Sequence, residues 1–207
     1  MGRHLLIVTG YPGAGKSTTA ALIRREFPQF RTMSYDALKE AWFDREGFDG
    51  EAEKRRLTDR CLAAFWQQLG AGMGDGGDWL IEYPFCRKHV PMLKQLIEAH
   101  GYAPITVVLS GDPAVLWQRF ARRDAEPDRH PGHLCSVYHK DGPQVRGRRL
   151  SLEEYTRDCA EKDYFIGLGP SFVLDMTDFS RVDQAGLLAF LHEHIDQEEP
   201  SSAERSR

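Results

Sequence analysis

Short apolar runs alternate with amphipathic stretches along most of the chain. The apolar runs have the length and the apolar or β-branched composition of buried strands. Five strands are predicted in this way: His4–Thr9, Phe30–Ser34, Trp79–Ile81, Ile105–Leu109 and Phe172–Leu174. Because strands that alternate with helices are typical of parallel sheets, the pattern predicts an α/β fold with a five-stranded parallel sheet.

Helical periodicity fills the intervals between these strands. It is clearest over about Ala52–Leu69, where apolar residues recur at steps of four on one face. A glycine-rich turn, Gly70–Gly77, is predicted to end this helix. The other predicted helices are Lys16–Phe27, Ala37–Asp44, Lys88–Ala99, Asp112–Arg123, Ser151–Tyr164 and Arg181–His194.

One long polar segment, residues 124–149, interrupts the alternation of strands and helices. It is rich in Pro, Gly, His and Arg. Because a loop of this length inside a compact domain is usually functional or disordered, we predict that it forms a lid. The charged tail, residues 197–207, is expected to be disordered, which leaves residues 1–196 as a single predicted domain.

Composition narrows the class of protein. The chain has 207 residues, of which 28% are charged and 41% hydrophobic, and its net charge of −4 argues against a surface that binds polyanions throughout. Its four cysteines are scattered, which predicts reduced thiols in a cytoplasmic protein. No apolar run approaches the ~18 residues of a membrane span, and the first strand begins too early to leave room for a signal peptide.

The strongest motif lies between the first strand and the first helix. Residues 10–17 read Gly-Tyr-Pro-Gly-Ala-Gly-Lys-Ser, which fits the phosphate-loop pattern G-x-x-x-x-G-K-[ST]. Its glycines let backbone N–H groups turn around a phosphate, and the N-terminus of the helix adds partial positive charge. Lys16 would contact the β- and γ-phosphates, and the Ser17 hydroxyl would hold Mg²⁺. The predicted nucleotide-binding residues are Gly10, Pro12, Gly13, Ala14, Gly15, Lys16, Ser17 and Thr18.

Two carboxylates follow predicted strands at the sheet edge where the phosphate loop lies. Asp36 could accept the proton of a hydroxyl that attacks the γ-phosphate, or it could simply cap the helix that begins beside it. Glu82 could orient water on Mg²⁺, or it could be an exposed loop carboxylate. Position at the carboxyl ends of parallel strands favours the functional interpretation of both.

Arginines cluster after the fourth strand. Arg119, Arg122 and Arg123 share one helix face, and Arg129 follows in the lid segment. Arginines that close over a transferring phosphoryl group stabilise its developing charge, although each could instead belong to a solvated basic surface paired with nearby acids. We expect at least one of the four to contact phosphate.

The remaining candidates have two interpretations each. His130 and His133 are a weak zinc signal and fit closing contacts or a loop turn better. Other side chains could serve an acceptor or the base of the nucleotide, or could be structural only. They are Tyr83, Pro84 and Phe85 as an acceptor wall, Arg146, Arg148 and Arg149 as an anion site, and Asp175 and Asp178 beside the base.

These features together resemble the small P-loop kinases of the polynucleotide-kinase, zeta-toxin and chloramphenicol-phosphotransferase group. The resemblance covers about residues 3–194. It implies the sheet order 2-3-1-4-5, Asp36 as general base, and Arg119, Arg123 or Arg129 as a lid arginine on the transferred phosphate. Many members have aspartate after the third strand, where this chain has Glu82.

The sequence therefore predicts an ATP- and Mg²⁺-dependent phosphotransferase that acts on a hydroxyl. A small molecule or nucleoside is slightly favoured as acceptor because no extended basic stripe with interleaved aromatics is present. A polynucleotide 5′-hydroxyl is the alternative, and a nucleotide-dependent binding protein or ATPase without an acceptor is a second. A GTPase would need a guanine-reading motif such as Asn-Lys-x-Asp, which the sequence lacks.

Overall fold

A computed structural model describes residues 3–196. It has eight strands: β1 (His4–Gly10), β2 (Arg31–Ser34), β3 (Phe48–Asp49), β4 (Trp79–Glu82), β5 (Ala103–Ser110), β6 (Cys135–Tyr138), β7 (Gln144–Arg146) and β8 (Ser171–Asp175). Five of these form a parallel sheet in the order β2-β4-β1-β5-β8. Counted along the chain, this order is 2-3-1-4-5, so the predicted fold class and strand order are confirmed.

Eight helices connect and cover these strands. They are α1 (Lys16–Glu26), α2 (Tyr35–Glu46), α3 (Glu51–Gly74), α4 (Val90–His100), α5 (Pro113–Arg123), α6 (Pro131–Leu134), α7 (Leu152–Lys162) and α8 (Gln184–Ile195). Short 3₁₀ helices at Arg87–His89 and Phe179–Arg181 precede α4 and α8. No helix within residues 3–196 combines the length and apolar composition of a membrane span.

The three middle strands of the central sheet, β1, β4 and β5, are buried on both faces. Alternate side chains of a strand point to opposite sides, so each of these strands contributes to two cores. Leu6 and Val8 of β1 pack in a core that includes α1, α5, α7 and α8. Leu5 and Ile7 pack in a second core with α3 and α4. The run of apolar residues in β1 therefore fixes the sheet between two helical layers, and its carboxyl end delivers Gly10 to the start of the phosphate loop.

Helix α3 extends to Gly74, so the prediction that a turn begins at Gly70 was wrong. The glycines serve close packing here. A Cβ at Gly72 would lie 2.4 Å from Cζ2 of Trp79, and one at Gly70 would lie 3.1 Å from Cδ2 of Leu96. Tertiary packing thus outweighs the low helix propensity of glycine in this last part of the helix.

We expect Gly72→Ala to lower the free energy of unfolding by about 1–3 kcal/mol, because the new methyl group overlaps the buried Trp79 ring. Gly74→Ala is the matched control, since its Cβ would approach nothing closer than 3.8 Å. That change should raise the free energy by up to about 1 kcal/mol through helix propensity. Urea unfolding measures both, and equal effects of the two alanines would contradict this account of the packing.

The segment from 124 to 149 is not a long loop. It contains α6, β6 and β7, and β3, β6 and β7 form a small antiparallel sheet. A separate apolar cluster lies under this sheet and is formed by Phe43, Phe48, Leu57, Cys135 and Tyr138. These short strands lie outside the strand–helix alternation and carry no clear apolar run, so the sequence did not predict them, and their pairing depends on this core. We keep the name lid segment for residues 124–149.

Candidate active site

The phosphate loop leaves β1 and enters α1 through three glycines with positive φ. Gly10, Gly13 and Gly15 have φ values of 129°, 81° and 88°. At Gly10 a Cβ would lie 2.0 Å from the carbonyl oxygen of Leu109, so only glycine fits between the loop and β5. The hydroxyl of Tyr155 donates to the Pro12 carbonyl at 2.7 Å and ties the loop to α7. These contacts hold the loop open around the N-terminus of α1.

Lys16 begins α1 and turns back over the loop. Its Nζ donates to the carbonyls of Gly10 at 3.2 Å and Tyr11 at 2.9 Å. Burial lowers the pKa of Lys16 to about 8, with the charge of Asp36 opposing this shift. A buried ammonium at the N-terminus of a helix is suited to bind phosphate oxygens, which would restore its favoured charged state.

Ser17, Ser34 and Glu82 converge next to the loop. Both hydroxyls donate to Oε1 of Glu82 at 3.1 Å, and Oε2 of Glu82 is buried without a hydrogen-bond partner among the described residues. Mg²⁺ prefers hydroxyl, carboxylate, water and phosphate oxygens. A buried, unpartnered carboxylate oxygen beside the Ser17 hydroxyl is chemically suited to a hydrated magnesium ion. The assignment of Ser17 and, through water, Glu82 to such an ion stays a prediction.

Asp36 lies in the first turn of α2 and does not cap it. Ser34 is the N-cap, and its hydroxyl accepts from the Ala37 amide at 3.5 Å. Asp36 instead forms an ion pair with Lys39, 2.9 Å between Oδ1 and Nζ. Burial would raise the pKa of Asp36, but Lys39 and His133 together bring it down to about 2. Asp36 is therefore an ionised carboxylate, and its side chain is 40% exposed.

The arginines differ in what they contact. Arg119 donates to the carbonyls of Met176 and Thr177, and its Cζ lies 3.6 Å from the centroid of the Phe179 ring. Arg123 and Arg129 flank Asp124, with nearest N···O distances of 3.8 and 3.5 Å. Their Nε atoms are buried and have no hydrogen-bond partner within residues 3–196. Burial and the nearby Arg123 both lower the pKa of Arg129.

A cavity of about 470 Å³ brings most of the predicted site together, and we call it the phosphate-loop cavity. Asp36, Glu82 and all four arginines line it with the loop itself. Lys39, Tyr83, Pro84 and His133 complete the wall on the side of α2. The predicted nucleotide-binding residues that line it are Pro12, Gly13, Gly15, Lys16, Ser17 and Thr18. Ala14 is fully buried, and Gly10 lies behind at the end of β1.

Several other candidates have structural partners. Phe85 is fully buried in a core, so it does not form an acceptor wall. Arg148 pairs with Glu154 at 2.7 Å, and Arg146 donates to the Asp124 carbonyl. Asp178 caps the 3₁₀ helix that begins at Phe179. None of these residues lines the phosphate-loop cavity.

His130 and His133 of the lid segment bind carboxylates of α2. His130 Nε2 lies 2.9 Å from Asp44 Oδ1, and His133 Nε2 lies 2.7 Å from Glu40 Oε1. No group of three or more His, Cys, Asp or Glu side chains with the geometry of a metal site occurs in the described residues. The interpretation of these histidines as closing contacts therefore fits their positions.

A second cavity of about 530 Å³ adjoins the first and was missed in the sequence; we call it the apolar cavity. Its wall includes Leu22 of α1, Leu174 of β8 and Leu187 of α8. It shares Gly15, Thr18 and Phe179 with the phosphate-loop cavity, whereas Asp175 and Asp178 do not line it. No sequence motif predicts this cavity, because its walls come from elements more than 150 residues apart in the chain.

The sheet order and the loop at the end of β1 define the class as a small P-loop protein of the kinase type. The model of a family described as an AAA domain (AAA_18) matches residues 6–138, and the chain belongs to this family. A comparison with curated proteins gives no match.

Solved structures share the fold across nearly the whole chain. A proposed kinase from Chloroflexus aurantiacus J-10-fl is 22% identical with a TM-score of 0.76, and the match covers 94% of this chain and all of that one. A gluconokinase from Sinorhizobium meliloti 1021 is 15% identical with a TM-score of 0.58, covering 95% and 98%. Kti12 from Chaetomium thermophilum, in complex with ADP-AlF₃, is 16% identical with a TM-score of 0.58, covering 95% and 100%.

Proposed function

We propose that this protein transfers the γ-phosphate of ATP to a hydroxyl group of a small molecule, with Mg²⁺ as cofactor. The observation that carries the proposal is the meeting of Asp36, Lys16, Arg123 and Arg129 in the lining of one cavity. A carboxylate opposite a phosphate loop is the arrangement that a hydroxyl acceptor needs and that simple nucleotide binding does not need.

Each side chain takes a role that follows from its contacts. Asp36 takes the proton of the attacking hydroxyl, and Lys39 orients that carboxylate from 2.9 Å. Lys16 and the guanidinium groups of Arg123 and Arg129 stabilise the negative charge of the transferring group. Ser17 and, through water, Glu82 would hold the magnesium ion, which neutralises phosphate charge when bound. Most of the rate then comes from position and electrostatics.

The two cavities suggest how the substrates divide the space. The apolar cavity begins at Gly15 and Thr18 of the phosphate loop, so it is suited to the base of the nucleotide. Arg119 and Phe179 stack at the junction of the two cavities and would contact the nucleotide there. The acceptor is left with the side of the phosphate-loop cavity lined by Asp36, Tyr83 and His133.

A small hydroxylated acceptor fits this space better than a polynucleotide. Arg129, His130 and His133 of the lid segment contact carboxylates of α2 beside the cavity and so bound the acceptor side of this space. The sequence has no extended basic stripe with interleaved aromatics, which a polynucleotide would favour. The gluconokinase with the same fold is named for a small hydroxylated substrate, which agrees with the proposal. We further propose that residues 1–196 act as one domain.

The proposal is tested by transfer of label from γ-labelled ATP to a panel of acceptors. The panel contains gluconate and other polyols, nucleosides, hydroxylated antibiotics, and DNA and RNA oligonucleotides with a 5′-hydroxyl. Label on a small molecule supports the proposal. Label on the oligonucleotides alone would replace it with a polynucleotide kinase, and free phosphate alone, at one rate with and without acceptors, would indicate an ATPase.

We expect Glu82→Gln to raise the Mg²⁺ concentration for half-maximal activity by about 10–100-fold, as for other groups that orient metal-bound water. The amide keeps the shape but removes the charge beside Ser17. The measurement is the initial rate against MgCl₂ at saturating ATP. Glu98→Gln on the exposed side of α4 is the control. A Mg²⁺ curve that does not move would exclude Glu82 from the metal site.

A further inference from the structure

Helix α2 and the lid segment are joined by a row of contacts between charged and polar side chains, most of which have no role in the proposed phosphoryl transfer. Asp36, Glu40 and Asp44 follow one another at steps of four, so they share one face of α2. Opposite them, His133 binds Glu40, and His130 binds Asp44. The hydroxyl of Tyr138 and Nζ of Lys140 also contact Asp44, at 2.6 and 2.9 Å.

Hydrogen bonds and strand pairing attach the lid side of this junction to α3 and β3. Nζ of Lys54 donates to the carbonyls of His133 and Cys135, at 3.2 and 2.7 Å, and so fixes the backbone of α6 and β6 to α3. The pairing of β6 with β3 and the apolar cluster around Phe43 support the same segment. The ring of His133 therefore has a fixed position relative to α2.

The contacts of His133 determine which of its ring nitrogens carries a proton. Its side chain is 8% exposed, and burial lowers its pKa, with Glu40 acting in the opposite direction. The other charges that affect this ring are those of Lys39, Asp36 and Arg129. Glu40 is ionised, because the contact with His133 lowers its pKa below the usual value. A neutral His133 beside a carboxylate at 2.7 Å must place its proton on Nε2.

The other nitrogen, Nδ1, is then a hydrogen-bond acceptor with a free lone pair. It makes no hydrogen bond to any residue between 3 and 196, and His133 lines the phosphate-loop cavity together with Asp36. Asp36 and His133 therefore both line this cavity, and the polar atoms that they have left beyond their contacts with Lys39 and Glu40 can only accept hydrogen bonds. A ligand that satisfies both must present two donors.

We propose that His133 is a specificity-determining residue that accepts a hydrogen bond, through Nδ1, from a second hydroxyl of the phosphoryl acceptor. The acceptor is accordingly a polyhydroxylated small molecule, in which one hydroxyl reacts at Asp36 and another binds His133. This inference rests on the proposed function and adds the substrate class to it. Glu40 acts as a positioning residue because it fixes the proton of His133 on Nε2.

Two substitutions separate this role from a purely structural one. The amide nitrogen of glutamine reaches the position of Nε2, so His133→Gln keeps a donor to Glu40 and loses the acceptor at Nδ1. The amide oxygen of asparagine reaches the position of Nδ1, so His133→Asn keeps that acceptor and loses the contact with Glu40. His139→Gln is the matched control, since His139 makes the same kind of contact with Asp49, which is 68% exposed.

The experiment measures KM for the best polyol of the panel, KM for ATP, and the thermal midpoint of each variant. We expect His133→Gln to raise the acceptor KM about tenfold, the effect of one lost hydrogen bond, with KM for ATP and the midpoint unchanged. His133→Asn should lower the midpoint and keep more of the acceptor affinity. The opposite result would be a wild-type acceptor KM in His133→Gln and a raised acceptor KM in His133→Asn. It would overturn the inference and indicate that His133 acts only through its structural contact with Glu40.

An acceptor that lacks the second hydroxyl gives an independent test. With the wild-type protein, kcat/KM for the deoxy analogue should be about tenfold lower than for the parent acceptor. With His133→Gln, kcat/KM should be nearly the same for the two compounds, because the hydrogen bond is already lost. Equal losses in both proteins would overturn the inference while the kinase activity stands. If wild type transfers phosphate to no hydroxyl in the panel, the proposed function fails as well, so the two failures are distinct.

Discussion

Asp36→Asn is expected to lower kcat for phosphoryl transfer by about 10²–10⁴-fold, because the amide cannot take the proton of the attacking hydroxyl. The replacement keeps the size of the side chain and its place in the first turn of α2, where Ser34 remains the cap. ATP binding should stay close to wild type, since the phosphate loop is untouched. Single-turnover transfer from γ-labelled ATP, beside ATP titration, measures both quantities.

Asp44→Asn is the control for this substitution. Asp44 lies on the same face of α2, contacts the lid segment, and does not line the phosphate-loop cavity. It should leave kcat within a few fold of wild type. If Asp36→Asn and Asp44→Asn have the same effect, Asp36 contributes only to the junction between α2 and the lid segment.

The low pKa of Asp36 also shapes the pH profile. A folded-state pKa of about 2 means that the carboxylate is ionised at every pH in the working range. Wild-type kcat should therefore show no acid limb from Asp36 above about pH 4. The ionised Asp36 also stabilises the folded protein, because its pKa is lower there than in the unfolded chain. This stabilisation is present above the pKa of an unfolded aspartate and is lost as the pH falls towards 2.

The predictions from sequence succeeded where a local pattern determines the structure. Each of the five sheet strands lies within two residues of its predicted bounds. The pattern is clearest for β1, β4 and β5, because a strand buried on both faces must be largely apolar. The phosphate loop combines a fixed motif with backbone angles that glycine alone adopts easily, so Gly10, Gly13 and Gly15 could be placed without a structure. The strand ends then located Asp36 and Glu82 near the loop.

The sequence could not reveal features that depend on distant partners. The stripe of Asp36, Glu40 and Asp44 is visible as a spacing of four, but nothing local indicates that His133 and His130 lie opposite it. The short strands of the lid segment form only because Phe43 and Phe48 lie under them. The apolar cavity combines α1 with β8 and α8 from the far end of the chain. Long-range packing decided each of these features.

Lys16→Ala is expected to lower kcat/KM for ATP by at least about 10³-fold, because it removes a buried positive charge that would contact the phosphates. Lys162→Ala is the control, since Lys162 pairs with Asp158 on exposed parts of α7. Both variants should keep the wild-type unfolding midpoint within a few degrees, because Lys16 bonds only to loop carbonyls. Unchanged turnover in Lys16→Ala would exclude the phosphate loop as the reaction site.

The pKa of Lys16 adds a signature that a merely structural lysine would not give. In the free protein the Lys16 side chain loses its proton and its charge as the pH rises through about 8, whereas a bound triphosphate favours the charged form. Wild-type affinity for ATP should therefore decline above pH 8, by up to tenfold per pH unit, with uptake of a proton on binding. Lys16→Ala should bind ATP weakly and equally on both sides of pH 8. A decline that persists in Lys16→Ala would assign the titration to another group in the cavity.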